Sequence, residues 1–120
     1  MSDPRVLYID DEVDLLELAA SFFEDENLPL DTSSDFREAL ELIKKNNYDL
    51  IISDAKMPSG SGYDLISIAR KQDNFKGKII LVTGNAERQG DAQKFGYDLL
   101  IQKPLQFQAL VQTAKDLLSR

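Results

Sequence analysis

The stretch that most constrains the fold is a short apolar run that ends in an acidic residue. Leu50, Ile51 and Ile52 lead through Ser53 into Asp54, and turn-forming residues follow over 57–62. A run this apolar predicts a strand that is covered on both faces, as in the centre of a parallel sheet. Asp54 would then lie at the carboxyl edge of that sheet, where open α/β folds bind ligands. Taken alone, an aspartate in this place is more readily explained as a turn residue.

Apolar runs of strand length alternate with amphipathic segments along the whole chain. The predicted strands are 5–9, 28–32, 50–54, 78–82 and 99–101, and the predicted helices are 12–26, 33–45, 63–71, 86–95 and 106–118. This alternation predicts an α/β fold in which a parallel sheet is covered by helices on both faces. The two most apolar strands, 50–54 and 78–82, should be interior. The strand at 28–32 contains Pro29 and should lie at an edge.

Composition narrows the class of protein. The 120 residues are 42% apolar, which fits one domain over 1–120. The absence of cysteine and histidine excludes disulfides, Cys/His zinc sites and histidine-based catalysis. A net charge of −7, from 14 basic and 21 acidic residues, argues against a direct nucleic-acid surface. The sequence contains no membrane span and no signal-peptide pattern, so we expect a cytoplasmic protein without membrane association.

Acidic, hydroxyl-bearing and basic residues lie at or just after the ends of four predicted strands. These residues are Asp10, Asp11, Asp54, Thr83 and Lys103. Because the carboxyl ends of parallel strands meet at one edge, we expect the five side chains to converge. Crowded carboxylates either retain a proton or recruit a cation, and all-oxygen ligands suit Mg²⁺. Each residue also has an ordinary explanation, as a helix cap, a strand-end hydroxyl or a surface lysine.

The same residues make the sequence resemble a known family. The motifs are Asp10-Asp11-Glu12, Asp54 before Met57-Pro58, Gly62, Thr83-Gly84 and Lys103-Pro104. Together they resemble the receiver domain of bacterial two-component response regulators over essentially the whole chain. The resemblance implies a flavodoxin-like (βα)₅ fold with strand order 2-1-3-4-5. It also implies a cis peptide bond before Pro104.

The resemblance further implies a role for each site residue. Asp54 would be the phosphoacceptor, and Thr83 and Lys103 would contact the phosphoryl group. Mg²⁺ would be held by four groups: the carboxylates of Asp10, Asp11 and Asp54 and the backbone carbonyl of Lys56. One departure from the family pattern is Leu100, which stands where an aromatic residue often takes part in switching.

These roles predict a phosphorylation-controlled signalling switch rather than an enzyme. The phosphodonor would be a sensor histidine kinase, a phosphotransfer protein or a small acyl phosphate. The downstream target would be an unidentified protein, and the chain would be a monomer or weak dimer. Two alternatives stay open: a receiver-like module that binds partners without phosphorylation, and a small Mg²⁺-dependent phosphohydrolase. Such hydrolases usually carry a second acid two residues after the nucleophile, where this chain has Lys56.

Overall fold

Five parallel strands form the central sheet. In this computed structural model, which describes residues 4–84 and 96–119, the strands follow the predicted order β2-β1-β3-β4-β5. The strands are β1 (Val6–Ile9), β2 (Leu30–Ser33), β3 (Leu50–Asp54), β4 (Lys78–Thr83) and β5 (Leu99–Gln102). The helices are α1 (Val13–Asp25), α2 (Phe36–Lys45), α3 (Gly62–Arg70) and α4 (Phe107–Leu118). The predicted helix at 86–95 lies outside the described residues.

The alternation of side chains along the strands divides the core into two layers. Val6 and Tyr8 of β1 face one side, where they pack with α1 and α4; we call this layer the α1–α4 core. Leu7 and Ile9 face the other side and pack with α2 and α3, in the α2–α3 core. Helices therefore cover both faces of the sheet, as the sequence predicts. Within the described residues, no helix is long and apolar enough to cross a membrane.

Strand β2 lies at an edge, as predicted, but begins two residues later than the sequence pattern suggests. The N–H of Leu28 donates to the carbonyl of Phe23 at 3.0 Å and so helps to end α1. Asn27 between them has a positive φ of 59°, a conformation that asparagine tolerates better than most residues. Pro29 has no N–H to donate. The ladder with β1 therefore starts only at Leu30.

A short hairpin follows β3, where the sequence predicted only a loop. Lys56 and Met57 pair antiparallel with Ser61 and Gly60, and α3 begins directly afterwards at Gly62. We call residues 56–61 the site hairpin. A Cβ atom at Gly62 would collide with the carbonyl oxygen of Asp54, so glycine is required where the chain returns past β3.

At the amino edge of the sheet, charged groups are paired across long stretches of sequence. Arg5 Nη2 contacts Asp31 Oδ2 at 3.0 Å, and its guanidinium carbon lies 5.3 Å from the centre of the Tyr48 ring. The Tyr48 hydroxyl donates to the same Asp31 oxygen at 2.8 Å. This network ties the residues that precede β1 and β3 to Asp31 of β2.

A second network at the amino edge centres on Arg70, the last residue of α3. Its guanidinium donates to the carbonyls of Gly96 (2.7 Å) and Gly77 (2.8 Å) and to Asp98 Oδ2 (2.6 Å). Asp98 Oδ2 also accepts from the N–H of Ile79 at 2.7 Å. Arg70 therefore joins α3 to the beginnings of β4 and β5.

Candidate functional site

Four strand ends bring the predicted site residues together at the carboxyl edge, around one cleft. Asp54 and Thr83 are the last residues of β3 and β4, while Asp10 and Lys103 directly follow β1 and β5. A cleft of about 280 Å³ is lined by Asp11, Glu12, Asp54, Ala55, Lys56, Thr83, Gly84 and Lys103. Asp10, Asp54 and Thr83 are buried, whereas Asp11, Lys56 and Gly84 are exposed. The five residues picked out at the strand ends therefore lie together in space.

Lys103 is the cation closest to the carboxylates among the described residues. Its Nζ donates to Asp54 Oδ2 at 3.1 Å and lies 3.9 Å from Asp10 Oδ2. Burial alone would lower the pKa of Lys103, but the hydrogen bond and the negative charge of Asp54 outweigh burial and raise it. The lysine therefore stays charged. The backbone N–H of Lys103 donates to the Thr83 carbonyl at 2.7 Å. The peptide bond between Lys103 and Pro104 is cis, as expected.

Asp10 is a fully buried carboxylate with one oxygen incompletely satisfied. Oδ1 accepts a hydrogen bond from the N–H of Glu12 at 3.0 Å. Oδ2 accepts none from the part of the chain that the structure describes. Burial raises the pKa of Asp10 to about 6; Asp54 and Asp11 add to this, while the Glu12 N–H and Lys103 oppose it. The metal-free site therefore holds this negative charge at a cost.

The donor set fits a hard divalent cation. One carboxylate oxygen from each of Asp10, Asp11 and Asp54 lies within 4.8 Å of the other two. All three donors are oxygen, which Mg²⁺ prefers, and Asp10 Oδ2 still has a lone pair to offer. Lys56 brings the site hairpin to the same cleft. An acidic cluster alone is weak evidence for a metal, but a buried carboxylate oxygen without a hydrogen bond strengthens it.

Space for an incoming group lies above Asp54, beside Thr83. A Cβ atom at Gly84 would meet no other atom within 4 Å, so Gly84 itself leaves the cleft open. Leu100 lies half-buried against the α2–α3 core. The structure thus gives Leu100 a packing contact on the opposite side of the sheet from α1 and α4.

Sequence reasoning missed two residues near the site. The sequence places Glu12 in the motif Asp10-Asp11-Glu12 and at the start of a predicted helix without a role at the site, yet Glu12 lines the cleft and donates its backbone N–H to Asp10 Oδ1. Its position directly after two predicted site acids was the signal. Tyr8 lies two residues before Asp10 on β1 and is fully buried, and its hydroxyl has no hydrogen-bond partner among the described residues. Its sequence context is that of an ordinary strand residue, so no local pattern distinguishes it.

Comparisons with known proteins agree with this arrangement. The response regulator receiver domain family matches residues 6–115. Response regulator SaeR of Staphylococcus aureus (strain USA300) is 28% identical over 118 residues, covering 97% of this chain and 51% of SaeR. The chain therefore spans about half the length of the curated relatives it matches.

Solved structures show the same fold. A CheY-like receiver domain protein from Methanospirillum hungatei JF-1 has a TM-score of 0.90 at 28% identity, covering 98% of this chain and 95% of that one. The receiver domain of the Francisella response regulator 1452 has a TM-score of 0.88 at 30% identity, covering 98% of each chain. The parallel order of the sheet, the matched length and these neighbours lead to one conclusion. The chain belongs to the response regulator receiver domain family and has its flavodoxin-like fold.

Proposed function

We propose that this chain is a phosphorylation-controlled signalling switch in which Asp54 accepts a phosphoryl group. The observation that carries the proposal is the position of the Asp54 carboxylate. It ends β3 and opens onto the cleft, with one oxygen held by Lys103 at 3.1 Å. A carboxylate fixed in this way is oriented to act as a nucleophile.

The covalent step forms an oxygen–phosphorus bond at Asp54. With a small acyl phosphate as donor, the bond from phosphorus to the acyl oxygen breaks and a carboxylate leaves. With a phosphohistidine donor, the phosphorus–nitrogen bond breaks and the imidazole keeps the electron pair. Water later attacks the aspartyl phosphate, which releases inorganic phosphate and restores the Asp54 carboxylate. Lys103 places a positive charge beside the oxygens on which negative charge accumulates.

The proposal includes a Mg²⁺ ion held by the carboxylates of Asp10, Asp11 and Asp54 and by the backbone carbonyl of Lys56. When bound, the ion would neutralise charge on the phosphoryl oxygens. The convergence of three carboxylate oxygens and the unsatisfied Asp10 Oδ2 support this assignment. So does a neighbour of the same fold, the receiver domain of the sensor histidine kinase PA1611 from Pseudomonas aeruginosa PAO1. That structure has a magnesium ion coordinated in its active site cleft.

Phosphorylation would change the surface through Thr83. The new group adds about −1.5 to −2 charges and three acceptor oxygens. We propose that the Thr83 hydroxyl hydrogen-bonds to it. Since the Thr83 carbonyl accepts from the N–H of Lys103 at 2.7 Å, movement at the end of β4 is passed directly to the end of β5. Leu100 stands where an aromatic residue often takes part in switching in the family. Because this chain has no aromatic ring there, we propose that the backbone hydrogen bond between Lys103 and Thr83 carries more of the coupling between phosphorylation and the surface.

The proposal covers residues 1–120 as one receiver unit in the cytoplasm. The phosphodonor is a sensor histidine kinase or a phosphotransfer protein, and a downstream protein target recognises the altered surface. We propose a monomer or weak dimer as the state that meets both partners.

The test is the intact mass of the protein after incubation with acetyl phosphate, with and without Mg²⁺. We expect one phosphoryl group on the wild type only with Mg²⁺, and none on Asp54→Asn. Asp73→Asn removes an exposed carboxylate away from the cleft and should label like the wild type.

Labelling of Asp54→Asn would contradict the proposed acceptor. If the wild type takes no label and also binds no beryllium fluoride, the chain would instead be a receiver-like module that acts without phosphorylation. Sustained turnover of simple phosphate esters would favour the phosphohydrolase.

A further inference from the structure

The site hairpin is short: backbone hydrogen bonds hold the residues at its two ends, and Met57 is buried in the α2–α3 core. Next to Asp54, the N–H of Ala55 donates to the carbonyl of Val82 at 2.7 Å. At the other end, the N–H of Gly62 donates to the carbonyl of Ala55 at 2.8 Å. Only two residue pairs form the ladder between these points. The position of the tip therefore depends on what touches it, and the two residue pairs link the tip to Lys56.

The first residue of α2 contacts that tip. The N–H of Phe36 donates to Ser59 Oγ at 3.0 Å, which gives one of the unpaired donors at the start of α2 a partner 23 residues away. A Cβ atom at Gly60 would lie 2.5 Å from Cδ2 and 2.6 Å from Cγ of the Phe36 ring. The ring therefore lies directly against the backbone of Gly60.

The Phe36 ring also has a packing contact on the side away from the hairpin. It packs against the α2–α3 core, which also contains Ala55 and Met57. The ring is half-buried, and close packing on its core side limits how far it can retreat from the hairpin. A change at the contact should therefore move the hairpin rather than the helix.

We propose that the contact between Phe36 and Gly60 sets the position of the site hairpin at the metal site. Phe36 is then a positioning residue for the divalent cation, although it lies on another helix and does not line the cleft. This inference rests on the proposed function, because it assumes that the Lys56 carbonyl is a ligand.

The path from the contact to the ligand is short. Gly60 pairs with Met57 across the hairpin, and the peptide bond joins Met57 to the carbonyl of Lys56. A shift of the backbone at Gly60 is therefore transmitted across one residue pair to the carbonyl. Groups that orient metal ligands from outside the coordination shell commonly change metal affinity when they are altered.

The test uses Gly60→Ala and measures the Mg²⁺ dissociation constant by calorimetry. The added methyl group would press on the Phe36 ring, so we expect Mg²⁺ binding to weaken about tenfold. Adding Phe36→Ala to this variant removes the ring and should restore much of the affinity, to the level of Phe36→Ala alone. Such non-additivity is the signature of a direct contact.

Leu40→Ala is the matched control. Leu40 lies one turn further along α2 and packs against the same core. Its loss should lower the melting temperature of the metal-free protein and leave the Mg²⁺ dissociation constant unchanged. Should Gly60→Ala fail to fold, Phe36→Ala takes its place, and we expect it to bind Mg²⁺ more weakly than Leu40→Ala.

Wild-type Mg²⁺ affinity in Gly60→Ala, or no recovery in the double variant, would overturn the positioning role alone. For a misfolded Gly60→Ala, equal affinities of Phe36→Ala and Leu40→Ala would do the same. If the wild type binds no Mg²⁺, or if Asp54→Ala binds it equally well, the proposed function is overturned together with this inference.

Discussion

At the amino edge of the sheet, each charged side chain described above has a partner of opposite charge or a hydrogen bond. At the carboxyl edge, Asp10 and Asp54 share one lysine, and an oxygen of Asp11 lies within 4.8 Å of both carboxylates. Asp98 Oδ2 accepts from both Arg70 and the N–H of Ile79. Asp10 is more deeply buried than Asp98, yet its Oδ2 accepts no hydrogen bond from the described residues. The comparison teaches that charged groups at the amino edge stabilise the sheet, whereas the carboxyl edge keeps a buried carboxylate oxygen without a hydrogen bond, which is what the proposed cation site requires.

At the amino edge, loss of Arg70 should cost far more stability than loss of an exposed cation next to it. Arg70→Ala leaves Asp98 without its guanidinium partner and two carbonyls without their donor. We expect the free energy of unfolding to fall by about 2–3 kcal/mol, with no change in Mg²⁺ affinity. Lys71→Ala removes the neighbouring exposed charge and should change stability by less than about 0.5 kcal/mol. Urea unfolding measures both, and equal effects of the two substitutions would remove the distinction.

At the carboxyl edge, the metal-free protein should lose stability as pH rises. The folded Asp10 has its pKa raised to about 6, against about 3.9 when unfolded. Between these values the folded state binds more protons than the unfolded state, so this contribution to stability falls with rising pH and is lost above pH 6. Asp10→Asn should therefore match the wild type near pH 4 and exceed it by about 1–3 kcal/mol at pH 7. Urea unfolding at several pH values in EDTA measures the difference, and a difference independent of pH would contradict the account.

The smallest expected difference in stability between the two edges concerns two tyrosine hydroxyl groups. The Tyr48 hydroxyl at the amino edge donates to Asp31, so Tyr48→Phe should cost about 1 kcal/mol. The Tyr8 hydroxyl, below the carboxyl edge, has no partner within the described ranges, so Tyr8→Phe should leave stability unchanged or slightly raised. Thermal unfolding of both variants checks this. A larger loss from Tyr8→Phe would show that its hydroxyl is satisfied in solution.

The carboxyl edge was largely predictable from sequence, and the amino edge was not. Asp10, Asp54 and Thr83 stand at the ends of apolar strands, and the rule that parallel strands end at one edge brings them together. Arg70 and Asp98 are 28 residues apart and follow no periodic pattern. Their pairing depends on where α3 ends relative to β5, which is a tertiary fact. Hydrophobic periodicity is a local signal and carries no information about such contacts.

The same limit explains why the site hairpin could not be predicted from the sequence. Its two-residue strands are too short for any alternation to be visible, and its proline, glycine and two serines are typical of a loop. The two antiparallel residue pairs and the contacts of the tip with Phe36 define it. The carboxylates of the site could thus be predicted individually, while the element that carries the remaining proposed ligand could not.

The most direct test of the contrast between the edges is the unfolding free energy of Asp10→Asn and Asp98→Asn beside the wild type, at pH 7.5 in EDTA and then in Mg²⁺. Without metal, we expect Asp10→Asn to be more stable than the wild type and Asp98→Asn to be less stable by about 1–2 kcal/mol. Mg²⁺ should then stabilise the wild type and Asp98→Asn equally, and Asp10→Asn far less. If both substitutions destabilise the metal-free protein and Mg²⁺ shifts all three proteins alike, the carboxyl edge holds no unsatisfied charge for a ligand and the account is wrong.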